Sequence, residues 1–157
     1  MTPDSPARPP IAPDLKRWLV GVFGTFFVAG VALSSWLSRV PRIRDDLGAT
    51  AGQMGLLMLA LGVGSVIGLT SSSHLIARFG ARRTIRVSMW VLGLGMGTAA
   101  LGLVAPTPPL VVTGLVIAGL GMGTCDVAMN FSGADCERHL ERTVMPLFHA
   151  LFSLGTV

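Results

Sequence analysis

A chain of 157 residues that is 51% hydrophobic and only 13% charged, with 20 glycines and no tyrosine, falls well below the charged fraction of a soluble domain. Its net charge of +4 comes from bases set between apolar runs, and no stretch pairs a basic groove with stacking aromatics, so nucleic acid is not expected as a partner. Cys125 and Cys136 lack C-x-x-C or Cys/His spacing, so no disulfide, metal site or cofactor is expected.

Residues 1–16 open the chain as a leader. Met1 to Pro13 hold five prolines and no apolar periodicity, too little burial to offset the entropy of ordering, so this segment is expected to be disordered and cytoplasmic. Residues 17–157 are expected to form part of one membrane bundle. Lys16 and Arg17 precede the first span, 18–37, which reaches about 30 Å at roughly 1.5 Å per residue, enough to cross a bilayer core. A cleavable signal peptide with Gly30-Val31-Ala32 at its cleavage point is disfavoured, because the run exceeds a signal core and further spans follow.

A first polar loop carries Arg39, Arg42, Arg44, Asp45 and Asp46. The second span, 53–76, offers Gly55, Gly62, Gly64 and Gly68 with Ser65 as a small-residue face for close helix contact. After Arg78, Arg82, Arg83 and Arg86 comes the third span, 85–105, joined to the fourth, 110–131, by an uncharged turn at Pro106, Pro108 and Pro109. So short a turn makes the two helices antiparallel neighbours. Beyond a polar loop from Asp135 to Arg142, a fifth run, 144–157, offers only about 21 Å of helix and is expected to be an incomplete span. Arg8, Lys16, Arg17, Arg78, Arg82, Arg83, Arg86, Arg138 and Arg142 fall on one side of these spans, and only Arg39, Arg42 and Arg44 on the other. By the positive-inside rule the N-terminus is cytoplasmic. The expected fold class is an all-α integral membrane bundle.

Ser73 to Arg83, SHLIARFGARR, lies between the second and third spans and resembles the G-x-L-A-D-R-x-G-R-R signature that major facilitator superfamily (MFS) transporters carry in that loop. Arg78, Gly80, Arg82 and Arg83 correspond to its basic residues and second glycine, the last pair displaced one place by Ala81. Ser73 and Ala77 stand where the signature has its first glycine and its aspartate, so the aspartate's role in holding helix packing is not carried over. Independently of any family, Gly80 permits a tight turn, and the arginines anchor the loop near anionic headgroups. A second resemblance, GLGMGTCDVAMN and MPLFHALFSLGTV between Gly119 and Val157 with RVPRIRDDLG in the first loop, is to the uncharacterised bacterial YbjJ-type branch, distantly similar to fucose permeases. Leu115 replaces an arginine that the wider superfamily has early in the fourth helix, so a mechanism resting on it is not carried over. The resemblance implies an MFS-type bundle, the first four transmembrane helices plus part of a fifth, in the bacterial cytoplasmic (inner) membrane.

Asp126 is the one carboxylate inside an apolar span, and Asn130 follows one turn later on the same face. An ionised carboxylate near the membrane centre costs a few kcal/mol and so faces a cavity or a partner. Asp126 lies about 24 Å past Leu110, in the cytoplasmic third of the bilayer, where the penalty is smaller. His149 enters about 10 Å from the same side, within reach of a neighbouring helix. Two readings stand: Asp126, Asn130 and His149 form a polar cluster that binds substrate or carries a coupling proton, or they make an interhelical hydrogen bond worth about 0.6 to 2 kcal/mol that only fixes packing. Ser34 and Ser35 are cavity-lining candidates by resemblance, set against a reading as local helix contacts. Trp36 is expected in the interfacial aromatic belt.

The expected function is transmembrane transport of a small solute by alternating access, as part of a longer protein. Its partners are then the lipid bilayer, a small-molecule substrate with a proton as candidate coupling ion, and the missing C-terminal helices. The alternatives are a small four-helix membrane protein, as scaffold or dimeric exporter, and a non-functional truncated transporter. No G-x-S-x-G elbow, metal-ligand spacing or phosphate-cradling loop joins the Ser, His and Asp residues, so an enzyme is not expected.

Overall fold

The computed structural model describes residues 13–157. Its helices follow in the order α1 (Pro13–Leu37), α2 (Val40–Asp46), α3 (Ala51–Phe79), α4 (Ala81–Val104), α5 (Pro108–Leu140) and α6 (Met145–Gly155). Four stretches are long and apolar enough to cross a membrane, α1 and α2 counting together as the first. The architecture is an all-α membrane bundle. The start of α1, the α3–α4 connection and the α5–α6 connection share one end, called here the basic end.

Helix ends follow local chemistry more than hydropathy. α1 begins at Pro13 with Asp14 in its first turn, a residue without an N–H where none is needed and an acid at the positive pole of the helix. Residues 13–16, assigned above to the leader, are therefore helical, and residues 1–12, with Arg8, lie outside the described residues. The first loop contains α2, with Pro41 in its first turn and an Arg42–Asp46 ion pair at 3.5 Å. α3 starts at a capping box: Gln53 N donates to Thr50 Oγ1 at 3.3 Å, and Thr50 N donates to Gln53 Oε1 at 2.8 Å. Gly80 at φ +78° separates α3 from α4, so Arg82, Arg83 and Arg86 ride on the first turns of α4. α5 continues to Leu140, about 50 Å at 1.5 Å per residue, so the segment from Asp135 to Leu140 is helix and not loop, and it projects beyond a roughly 30 Å core.

α5 is the hub. It packs along both α3 and α4, which touch each other little, while α1 pairs chiefly with α6 and leans on α5. Hydrophobic association is weak between helices already in lipid, so close backbone approach has to supply the contact. A Cβ at Gly119 would meet Ser65 N at 2.9 Å, and one at Gly68 would meet Thr124 N at 2.8 Å, which locks α3 to α5. On the other flank, a Cβ at Gly114 would meet Ala99 Cα at 2.7 Å, and one at Gly102 would meet Val111 N at 2.7 Å. Gly30 of α1 and Gly155 of α6 seat each helix on the other's backbone. Gly55 and Gly62 on α3 and Gly93 and Gly97 on α4 have open space, so only part of each glycine stripe serves packing within the described residues.

Two buried clusters fill the bundle. Near the basic end, Val22 and Phe26 of α1 meet Cys125 and Met129 of α5 and Phe148 of α6. Toward the other end, Trp36, Ile43, Met54 and Leu57 gather with Val111 and Leu115.

Candidate functional site

Asp126 and Asn130 form a pair on α5. Asn130 Nδ2 donates to the Asp126 carbonyl at 2.9 Å and to Asp126 Oδ1 at 3.2 Å. Asp126 is exposed and Asn130 half-buried. Their place follows from helix rotation of about 100° per residue: Gly119 and Gly123 face Leu61 and Ser65 of α3, and Gly133 faces Met145 and Phe148 of α6. The pair continues the Gly119 and Gly123 stripe, seven residues further along, and stops short of Gly133. An exposed carboxylate steadied by an amide can take a proton, accept a hydrogen bond from a hydroxylated solute, or pair with a cation.

His149 is not brought into contact with Asp126. The ion pairs formed within 4.0 Å among the described residues leave both out. The His149 ring packs against Phe26 of α1 at 5.3 Å, and its Nδ1 lies 3.0 Å from the Met145 carbonyl one turn back. The expected direct cluster of Asp126, Asn130 and His149 reduces to the Asp126–Asn130 pair, because Phe26, stacked on Phe148, takes the face of α6 next to His149.

Ser34 is a cross-helix contact. Its Oγ donates to the Val31 carbonyl at 3.2 Å and the Gly155 carbonyl at 3.3 Å. Ser35 offers its carbonyl to Arg39 Nη1 at 2.6 Å. Trp36, expected at the membrane interface, is only 4% exposed and sits in the cluster with Ile43 and Met54. α2 folds back over it, a feature that an apolar count does not reveal.

Within the loop motif, Gly80 N donates to the Ile76 carbonyl at 2.8 Å and closes α3. Arg78 and Arg83 lie over the Phe79 ring at 5.5 and 5.6 Å, and Arg82 lies over Trp18 at 4.9 Å. Trp18 also donates from Nε1 to Ser132 Oγ at 2.8 Å and meets the His139 ring edge-on at 5.6 Å. It thereby ties α1 to the start of α4 and the end of α5. Glu137 is a second brace: its Oε1 accepts from Val144 N at 2.7 Å and Met145 N at 2.8 Å, capping α6 from α5. Sequence reasoning missed both residues, although a tryptophan at a span's edge, with one apolar and one polar side to satisfy, is a readable signal.

Among the described residues no group of three or more His, Cys, Asp or Glu side chains could hold a metal ion. No solved structure gives a significant match. An uncharacterised transporter of Sinorhizobium fredii, y4wD, is 37% identical over 137 residues, covering 87% of this chain and 36% of that protein. An uncharacterised MFS-type transporter of Yersinia pestis is 33% identical over 132 residues, 84% of this chain and 34% of its own. A multidrug resistance protein B homologue of Mycobacterium tuberculosis is 31% identical over 117 residues, 73% of this chain and 19% of its own. These three are named as transporters or resistance proteins, and the chain spans about a third of the length of the first two. With its membrane-length helices, and with a family profile described as Major Facilitator Superfamily matching residues 20–157, the chain belongs to that superfamily.

Proposed function

We propose that the complete protein carries a small solute across the membrane by alternating access, with this chain forming the opening of its first helical bundle. The observation that carries the reading is the Asp126–Asn130 pair on the hub helix, exposed where an acid facing lipid would be costly. In this reading Asp126 takes up a proton or a solute hydroxyl, Asn130 steadies it, and His149 on α6 is a second candidate for carrying the proton. Ser34 and Ser35 set the α1 wall, and Arg78, Gly80, Arg82 and Arg83 set the geometry of the α3–α4 connection. The excess of arginine at the basic end supports a cytoplasmic N-terminus, and relatives in Sinorhizobium and Yersinia support a bacterial cytoplasmic membrane. The resemblance of the Gly119–Val157 segment to the YbjJ-type branch, distantly similar to fucose permeases, supports a hydroxylated solute. Residues 1–12 act as leader in this scheme, in place of 1–16, and 13–157 as the partial bundle.

The test uses the complete protein in liposomes loaded with a pH-sensitive dye, screened with sugars, amino acids and organic cations. A solute that moves protons through the wild type should fail to do so through Asp126→Asn, while binding persists. Unchanged transport and unchanged pH dependence in that variant would remove Asp126 from the mechanism.

A further inference from the structure

Near the basic end α3 and α4 both lean on α5 and leave a slot between themselves. Gly68 sits on Thr124 and Gly121 on Leu92, so each helix is drawn down to the hub and away from the other. The slot has a volume of about 480 Å³, and Leu75, Val87, Val91 and Leu120 line it. Hydroxyls line it too, but they are spent on backbone carbonyls. Ser71 Oγ donates to the Ile67 carbonyl at 2.8 Å, and Thr84 and Ser88 donate to the Gly80 and Ile85 carbonyls at 3.0 Å. The surface offered is therefore apolar.

The slot's mouth is basic. Arg83 and Phe79 border it and also border a second cavity of about 620 Å³ that takes in Arg82 and Arg86. The ion pairs among the described residues engage Arg42, Arg138 and His139, so no carboxylate there lies within 4.0 Å of Arg78, Arg82, Arg83 or Arg86. Asp135 borders the second cavity, but Arg138 holds it at 2.7 Å. From Arg83 to Val91 on one wall, and from Phe79 back to Ser71 on the other, the slot runs about 12 Å along the helices. That is most of the roughly 15 Å that one leaflet contributes to the bilayer core.

We propose that this slot binds one anionic glycerophospholipid of the leaflet at the basic end, an acyl chain lying along Leu75, Val87 and Val91 and the phosphate on Arg83 and Arg86. Basic pockets between membrane helices hold anionic headgroups, and the guanidinium fork matches phosphate oxygens. A phospholipid brings an anionic group and an apolar chain in one molecule, which matches the basic mouth and the apolar walls of the slot together. Occupancy does not depend on transport, so it stands or falls separately from the function proposed above.

The protein is taken into mild detergent, supplied with dioleoylphosphatidylglycerol or dioleoylphosphatidylcholine, and examined by native mass spectrometry. Wild type should retain the anionic lipid over the zwitterionic one. Arg83→Gln should lower that retention about fivefold, the equivalent of about 1 kcal/mol per basic residue near a membrane surface. Val87→Trp, which fills the slot without changing charge, should lower retention of both lipids, and Arg142→Gln, an equal charge loss away from the slot, should change neither. Equal retention of the two lipids, or an Arg142→Gln loss as large as that of Arg83→Gln, would mean diffuse attraction and overturn the site. In case Val87→Trp misfolds, a photoreactive benzoylphenylalanine at position 87 of the complete protein gives a second reading in membranes: a crosslink to lipid supports the proposal, and a crosslink to polypeptide overturns it.

Discussion

Replacing Trp18 with phenylalanine removes one hydrogen bond and weakens one cation contact while keeping most of the ring's bulk. The lost bond runs from Nε1 to Ser132 Oγ at 2.8 Å, and Ser132 is only 1% exposed, so its hydroxyl has no water to turn to. Interhelical polar contacts in membrane proteins contribute about 0.6 to 2 kcal/mol. The Arg82 guanidinium at 4.9 Å from the ring adds a cation–π contact that phenylalanine keeps only in part, a further loss of about 0.5 kcal/mol. Together the variant should lose about 1–2.5 kcal/mol, a factor of about 5–60 in the folded ratio. A double-mutant cycle of Trp18→Phe and Ser132→Ala, read by circular dichroism during unfolding in mixed micelles, isolates the bond. A coupling of about 0.6 kcal/mol or more is expected. Losses that simply add, within about 0.3 kcal/mol, would refute the bracing role assigned to Trp18.

Gly119→Leu on α5 should destabilise the bundle by about 3 kcal/mol, since its Cβ runs into the Leu61 carbonyl, while Gly62→Leu on α3, with open space, should stay within about 0.5 kcal/mol; the same micelle unfolding compares them. Glu137→Ala should expose the Val144 and Met145 amides to faster hydrogen exchange, whereas Glu137→Gln, which still offers an acceptor oxygen, should protect them; equal protection in both variants would deny the cap. Gly80→Ala should cost about 1–3 kcal/mol, because φ +78° with ψ 151° is a region open essentially to glycine alone, and a measured loss below about 0.5 kcal/mol would contradict that geometry.

The apolar stretches are legible from hydropathy because crossing lipid is a matter of composition and length. Helix ends are not, for they depend on caps and on charged residues that water outside the membrane accommodates in a helix. Thr50 and Gln53 do spell a capping box, yet a reading led by apolar runs passes over them and starts the second span at Gln53. Asp135, Glu137 and Arg138 look like loop to a membrane scale, but Asp135 and Arg138 pair at 2.7 Å one turn apart on a projecting helix. The site was legible in half: helical period alone places Asn130 beside Asp126. The position of His149 depends on how α6 is rotated against α1, and that rotation is set by Gly30 and Gly155 meeting backbone to backbone and by Phe26 stacking on Phe148. No period within either helix carries that information.

The hub helix explains why Asp126 can be where it is. Half of α5's apolar window is buried inside the fold, against 22–28% for the other membrane-length stretches, so neighbours cover α5 more than any other span among the described residues. α3 takes the stripe of Gly119 and Gly123, α4 that of Gly114 and Gly121, and α6 that of Gly133. Asp126 and Asn130 come seven residues after Gly119 and Gly123 and continue their stripe toward the basic end, where Asp126 is exposed. Phe131, about 100° further round the helix from Asn130, is apolar and 49% exposed, fit for lipid or a lipid tail. An ionised acid on the hub's surface is stabilised by water or a polar partner beside it. The superfamily's alternating-access design supplies a water-lined pathway on one side of each bundle. We expect Asp126 and Asn130 to face that pathway and Phe131 to face the bilayer. Cysteines introduced at Asn130 and Phe131 in the complete protein separate the two directly: a small water-soluble thiol reagent should label position 130 much faster than position 131, and the reverse order would turn the bundle around.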